Sequence, residues 1–176
     1  MPKTLSRSSY TYQKLFRALY GYTQVVNKSN GKRYRYHRKG ILSDVPFIRP
    51  SKNSLIIPTD ALQKLINFFN TGENPAHRWT AKGDWKAVYY LSDKQISEQS
   101  VARAFEQVLD RQWVNYGGEK MLLEDFLSKF VPKKEELKNK KIVQFCNYLT
   151  SHEWFAKSYV YSDRLKKFKT LCENLS

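Results

Sequence analysis

Along the first twenty residues the apolar positions Tyr12, Leu15, Phe16, Leu19 and Tyr20 recur at the spacing of one helical face, and Gly21 stands where a left-handed residue would end a helix. The spacing predicts a helix over about Tyr10 to Tyr20, with Lys14 and Arg17 on its polar side. The period then changes to that of a strand. Tyr22-Thr23-Gln24-Val25-Val26 reads as a strand, Asn27 to Lys32 contains the Asn30-Gly31 turn signal, and Arg33 to Arg38 reads as the returning strand of a β-hairpin. Pro46, Pro50, Ser51 and Asn53 mark an irregular connector, and Leu55-Ile56-Ile57 is a short strand ended by Pro58. Thr59 suits an N-cap and Asp60 a first turn, ahead of the stripe Leu62, Leu65, Ile66, Phe69 that stops before Gly72. A polar loop containing Asn74-Pro75 and Lys82-Gly83 follows. Trp85 to Leu91 is then expected as a buried or half-buried strand.

From Ser92 onward the pattern is helical. Ser92-x-x-Gln95 has the form of a capping box, and Val101, Phe105, Val108 and Leu109 make a stripe running toward Trp113 until Asn115 to Gly118 breaks it. Leu122, Leu123, Phe126, Leu127 and Phe130 predict the next helix, Ile142, Phe145, Cys146 and Leu149 a third, and Leu165, Phe168, Leu171, Cys172 and Leu175 a fourth. His152 falls at a helix start. The expected fold is α+β: a basic N-terminal helix plus β-hairpin and short strands, followed by a mainly helical C-terminal half. Residues 1–92 would form the basic portion and 93–176 the helical scaffold or interaction portion, as two domains or one continuous one.

Composition supports a folded chain. An apolar fraction of 41% with four tryptophans in 176 residues is enough to build a core, which excludes disorder despite the charge. No run approaches the roughly 18–20 apolar residues of a membrane helix, and Met1 to Arg7 lacks a signal-peptide core, so the expected location is intracellular, in cytoplasm, nucleoid or nucleus, with no membrane partner. The two cysteines, Cys146 and Cys172, are too few for a disulfide framework and lie on apolar stripes, which predicts buried, reduced thiols.

Charge changes the picture most. The net charge is +15, and residues 1–92 hold sixteen Lys and Arg against four Asp and Glu, whereas residues 93–176 hold fifteen against twelve. Lys28 to Lys39 alone carries six cations and no anion. Such a field points first to nucleic acid, DNA or RNA, and then to an acidic protein. On the returning strand, alternation places Tyr34, Tyr36 and Arg38 on one face and Arg33, Arg35, His37 and Lys39 on the other. If the tyrosines pack on the first helix, the second set becomes a solvent-facing comb. The expected phosphate contacts are therefore Lys28, Lys32, Arg33, Arg35, Arg38 and Lys39, flanked by Lys14 and Arg17, with His37 a further member of the comb and Tyr22 or Tyr36 at the edge of the surface. Lys3, Arg7, Arg49 and Lys52 add to the field.

A hairpin between helices also has the outline of a winged-helix domain, but Lys64 is the only cation inside the Leu62–Phe69 helix. That favours phosphate tracking over base reading. The enzymatic alternative is a metal-dependent nuclease in which Asp60 and Asp84 hold Mg²⁺ and Lys86 orients water; Gly83-Asp84 more simply closes a turn before the strand. His37 and His77 could supply acid and base to a metal-free ribonuclease, although no motif joins them. No cofactor or metal is expected. A second cationic run, Lys133 to Lys141, is interrupted by Glu135 and Glu136 and fits a solvated helix face. The helical half would serve as a dimer surface or as a dock for another protein.

Overall fold

The computed structural model describes residues 10–29, 31–74, 86–131 and 140–175. It is an α+β structure in which seven α-helices and three two-stranded antiparallel sheets are described, with helices dominating the C-terminal half. The chain divides into two compact units: residues 1–45 with 59–92, and residues 46–58 with 93–176. The connector 46–58, basic by sequence position, thus groups with the helical residues.

In the first unit, α1 (Tyr10–Tyr20) leads into a hairpin of β1 (Tyr22–Asn27) and β2 (Arg33–Arg38). Buried Leu15, Ala18 and Leu19 from α1 join Ile41, Leu42 and Val45 and, from the second helix, Leu65 and Phe68 in the core. A 3₁₀ turn at Thr59–Ala61 precedes that helix, α2 (Leu62–Thr71), so Ala61 rather than Thr59 takes the cap position. Asn74 ties the end of α2 to α1 by donating from Nδ2 to the Ala18 carbonyl at 3.2 Å.

The ends of the hairpin cross at two glycines. Gly21 has φ 76°, and a Cβ there would lie 2.5 Å from the Arg38 carbonyl and 2.9 Å from the Gly40 nitrogen. A Cβ on Gly40 would overlap the Gly21 nitrogen and the Leu19 and Ala18 carbonyls. Only side chains of zero size let the two strands leave the end of α1 so close together. The crossing is sealed by backbone hydrogen bonds from Ile41 to Ala18 and from Leu42 to Leu19, both 2.8 Å, and by Gly40 N donating to Ser43 Oγ at 2.8 Å.

Residues 86–91, expected to be a strand, are irregular, and Val88, Tyr89, Tyr90 and Leu91 are all exposed. Strand propensity alone does not form a strand, because the backbone groups need a ladder, and among the described residues none pairs with this segment.

The second unit begins with the β3 (Ile48–Ser51) and β4 (Ser54–Ile56) hairpin. Its centre is α3 (Glu98–Leu109), which starts near its buried stripe rather than at Ser92. Phe105, Val108 and Leu109 of α3 are almost wholly buried. The break expected after Trp113 is a further hairpin, β5 (Trp113–Tyr116) with β6 (Glu119–Leu122), closed by Gly117 and Gly118 at φ 58° and 84°. Two successive positive φ angles make the turn whose twist suits a tight hairpin.

Helices α4 (Leu123–Phe130), α5 (Lys140–Ser151) and α7 (Asp163–Glu173) match the predicted stripes. Between the last two lies α6 (Glu153–Ser158), for which His152 is the cap, its Nδ1 accepting from Trp154 N at 3.0 Å. Cys146 and Cys172 are buried free thiols, and contact with Cys146 together with burial pushes the Cys172 thiol well above its ordinary range.

Arg164 joins α7 to two other segments, bonding Glu124 in a fork at 2.5 and 3.0 Å and Asp110 at 2.8 Å. The hydrogen bonds it donates to Glu124 hold the Arg164 guanidinium above its ordinary pKa, so it stays charged throughout the working range.

Gly40→Ala should destabilise the first unit by about 1–3 kcal/mol through backbone overlap, measured by urea denaturation; wild-type stability would show that the crossing relaxes freely. Arg164→Met should cost about 2 kcal/mol by stranding the half-buried Glu124 carboxylate, read in the same way; no loss would mark the fork as incidental.

Candidate nucleic-acid interface

The hairpin register pairs Tyr22 with Arg38, Thr23 with His37, Gln24 with Tyr36, Val25 with Arg35, Val26 with Tyr34 and Asn27 with Arg33. Directly opposed residues share a face, so alternation sorts the ribbon into two sets. One face carries Tyr22, Gln24, Val26, Tyr34, Tyr36 and Arg38. The other carries Thr23, Val25, Asn27, Arg33, Arg35 and His37. The tip is closed by Lys28 N donating to the Lys32 carbonyl at 2.9 Å and Gly31 N to the Lys28 carbonyl at 3.0 Å.

The tyrosine face is not a buried one. Tyr34 is half-buried and Tyr36 is 40% exposed, with their rings stacked at 6.4 Å and an interplanar angle of 18°. Cations lie on these rings: Lys28 Nζ is 4.8 Å from the Tyr34 centroid, Arg38 Cζ 5.9 Å from Tyr36, and Arg17 Cζ, reaching from α1, 5.1 Å from Tyr22. The aromatics of α1 meanwhile stack along their own helix, Tyr12 on Phe16 at 4.5 Å and Phe16 on Tyr20 at 5.7 Å. Tyr36 is thus exposed and Tyr22 and Tyr34 only half-buried, short of the core packing expected of them. They serve as seats for cations.

Positive groups consequently occupy both faces. Arg33 and Arg35 are exposed on one; Lys28 and Arg38 are exposed on the other, with Arg17 beside them. His37, expected in the outward comb, is half-buried between the strands' neighbours. Lys39 is bound to Asp44 at 2.8 Å. Lys14 lies farther along α1 with its Nζ 5.8 Å from the Tyr10 ring, and Lys32 is exposed at the tip. Asp44 is the only carboxylate in residues 1–45, so the first unit's hairpin has almost no local counter-charge.

A cation held over a ring gains about 0.5–1 kcal/mol at an exposed site and gives up part of its rotamer freedom before any ligand arrives. The ladder of Lys28, Arg38 and Arg17 on tyrosines thus places charge in advance. It also occupies ring faces that would otherwise be free to stack on bases. The pairing was partly legible, because register and alternation follow from the Asn-Gly signal; the seating of cations on rings depends on side-chain rotamers and was not.

Asp60 is exposed in the 3₁₀ turn before α2, Lys86 is exposed in the irregular segment, and Asp84 and His77 lie outside the described residues. Among the described residues no group of three His, Cys, Asp or Glu side chains gathers in a way that could hold a metal ion. Arg49 and Lys52 belong to the second unit, where Arg49 shares with Arg103 a groove of about 310 Å³ beside α3. Of the second cationic run only Lys140 and Lys141 are described, both exposed at the start of α5. No helix among the described residues is long and apolar enough to cross a membrane.

Comparisons of the chain with protein-family models, with curated proteins and with solved structures found no match.

Asp44→Asn should release the Lys39 ammonium while changing stability by less than about 1 kcal/mol, since the pair is solvent-exposed. A denaturation midpoint shifted by much more would show that Asp44 holds the hairpin base rather than trimming its charge.

Proposed function

We propose that this protein binds nucleic acid through its β1–β2 ribbon, gripping phosphates with Arg33, Arg35, Arg38, Lys28 and Lys32, with Arg17 and Lys14 flanking them and little base specificity. One observation carries the proposal: an exposed two-stranded ribbon holds cations on both faces, several of them seated on tyrosine rings, in a region with one carboxylate. Burial of the tyrosines would have left a single charged face. Their use as cation seats instead supports a surface organised for phosphate.

The chemistry favours backbone contact over base recognition. Guanidinium groups fit phosphate oxygens in a two-pronged geometry, whereas the ring faces that could stack on bases are engaged by Lys28, Arg38 and Arg17. Helix α2 presents Lys64 as its only cation, which gives a groove-reading helix little to read with. The second unit, with seventeen Lys and Arg against twelve Asp and Glu, fits a scaffold or a surface for another protein or a second copy.

Binding of DNA and RNA across a salt series tests this. Arg33→Ala/Arg35→Ala should lower the slope of log affinity against log salt by about 0.7–0.9 per lost contact and weaken binding to every sequence alike. An unchanged slope and affinity would remove the ribbon from the interface.

A further inference from the structure

The ribbon's two faces decide which nucleic acid it fits, an inference that rests on the proposal that this hairpin is a phosphate-binding surface. Arg33 and Arg35 project from one face; Arg38 and Lys28, stacked over Tyr36 and Tyr34, project from the other. A single strand laid along the ribbon, or an anionic surface pressed against it, engages one face and leaves the opposite pair in solvent. Cations on both sides can meet phosphate at once only between two phosphate walls.

Dimensions select among such walls. Side chains extend about 5 Å from each face of a sheet, half the ~10 Å spacing at which sheets stack, so the two cationic layers stand about 10 Å apart. The major groove of B-form DNA is about 12 Å wide and admits a two-stranded ribbon, while its minor groove, about 6 Å wide, does not have that room. The major groove of an A-form RNA duplex is deep and narrow, which excludes the ribbon there. We infer that the β1–β2 ribbon stands edge-on in the major groove of duplex DNA, with Arg33 and Arg35 against one phosphate wall and Lys28 and Arg38 against the other.

The edge-on pose explains why the ribbon needs no base-reading side chains. A strand edge offers the groove floor backbone N–H and C=O groups, which repeat along the chain and carry no residue-specific code. Arg33 and Arg35 on one face and Lys28 and Arg38 on the other are exposed, while Tyr22, Val26, Tyr34 and His37 are half-buried.

The test uses the full chain with labelled duplex DNA, the matching single strand and duplex RNA, each titrated over a salt series. Two variants remove one face at a time: Arg33→Gln/Arg35→Gln and Lys28→Gln/Arg38→Gln, with circular dichroism checking that both stay folded. Duplex DNA should bind on the order of tenfold more tightly than either alternative, and each variant should reduce the duplex salt slope by about 1.8, two contacts' worth. A major-groove ligand such as methyl green should compete, and a minor-groove ligand should not. A slope that falls for only one variant, or single strands bound as tightly as duplex, would overturn the two-walled pose while leaving phosphate binding intact. Absence of binding to all three nucleic acids would overturn the interface itself.

Discussion

The close crossing of Gly21 and Gly40 is the constraint on which the first unit's exposed surface depends. Two chain segments pass the end of α1 with backbone atoms nearly in contact, and a methyl group on either residue would collide with carbonyl or amide atoms. Such proximity fixes where the hairpin leaves the helix and holds its base shut. Beyond that point β1 and β2 need only each other. The ribbon can therefore expose both faces, with its direction set by a backbone contact rather than by a hydrophobic face.

An exposed ribbon is usually marginal, since two strands bury little apolar area. Here the tyrosines compensate in a way compatible with charge. Tyr34 and Tyr36 stack on each other, while Lys28 and Arg38 cover them with aliphatic stems and cationic heads. Each contact is small, but the same contacts that stiffen the ribbon also keep cations from folding away. Stability of the element and presentation of charge are thus carried by one set of interactions.

The second unit solves a different problem. Its core is a continuous apolar cluster around α3, built from Phe105, Phe126, Phe155 and Phe168 with aliphatic neighbours. Its polar links close inward: Arg164 spans Glu124 and Asp110, and Ser162 both caps α7 and donates to Glu106 at 2.5 Å. Acids and bases are nearer in number there, twelve against seventeen, than in the hairpin, and that contrast follows the charge count along the chain.

Sequence alone determined the helices with strong apolar stripes, the first hairpin, the excess of cations over acids, and the buried state of both cysteines. These depend on period, turn chemistry and composition, which are local. Gly117-Gly118, between Trp113-Val114-Asn115-Tyr116 and Glu119-Lys120-Met121-Leu122, marks the β5–β6 hairpin as plainly as Asn30-Gly31 marks the first. The strand expected over residues 86–91 illustrates the opposite error, since β propensity cannot supply a partner ladder. Tertiary structure alone decided that the tyrosines seat cations, that Lys39 pairs with Asp44, and that residues 46–58 join the helical unit. Each of these turns on which groups meet across the chain, and distance in space is not encoded in any local period.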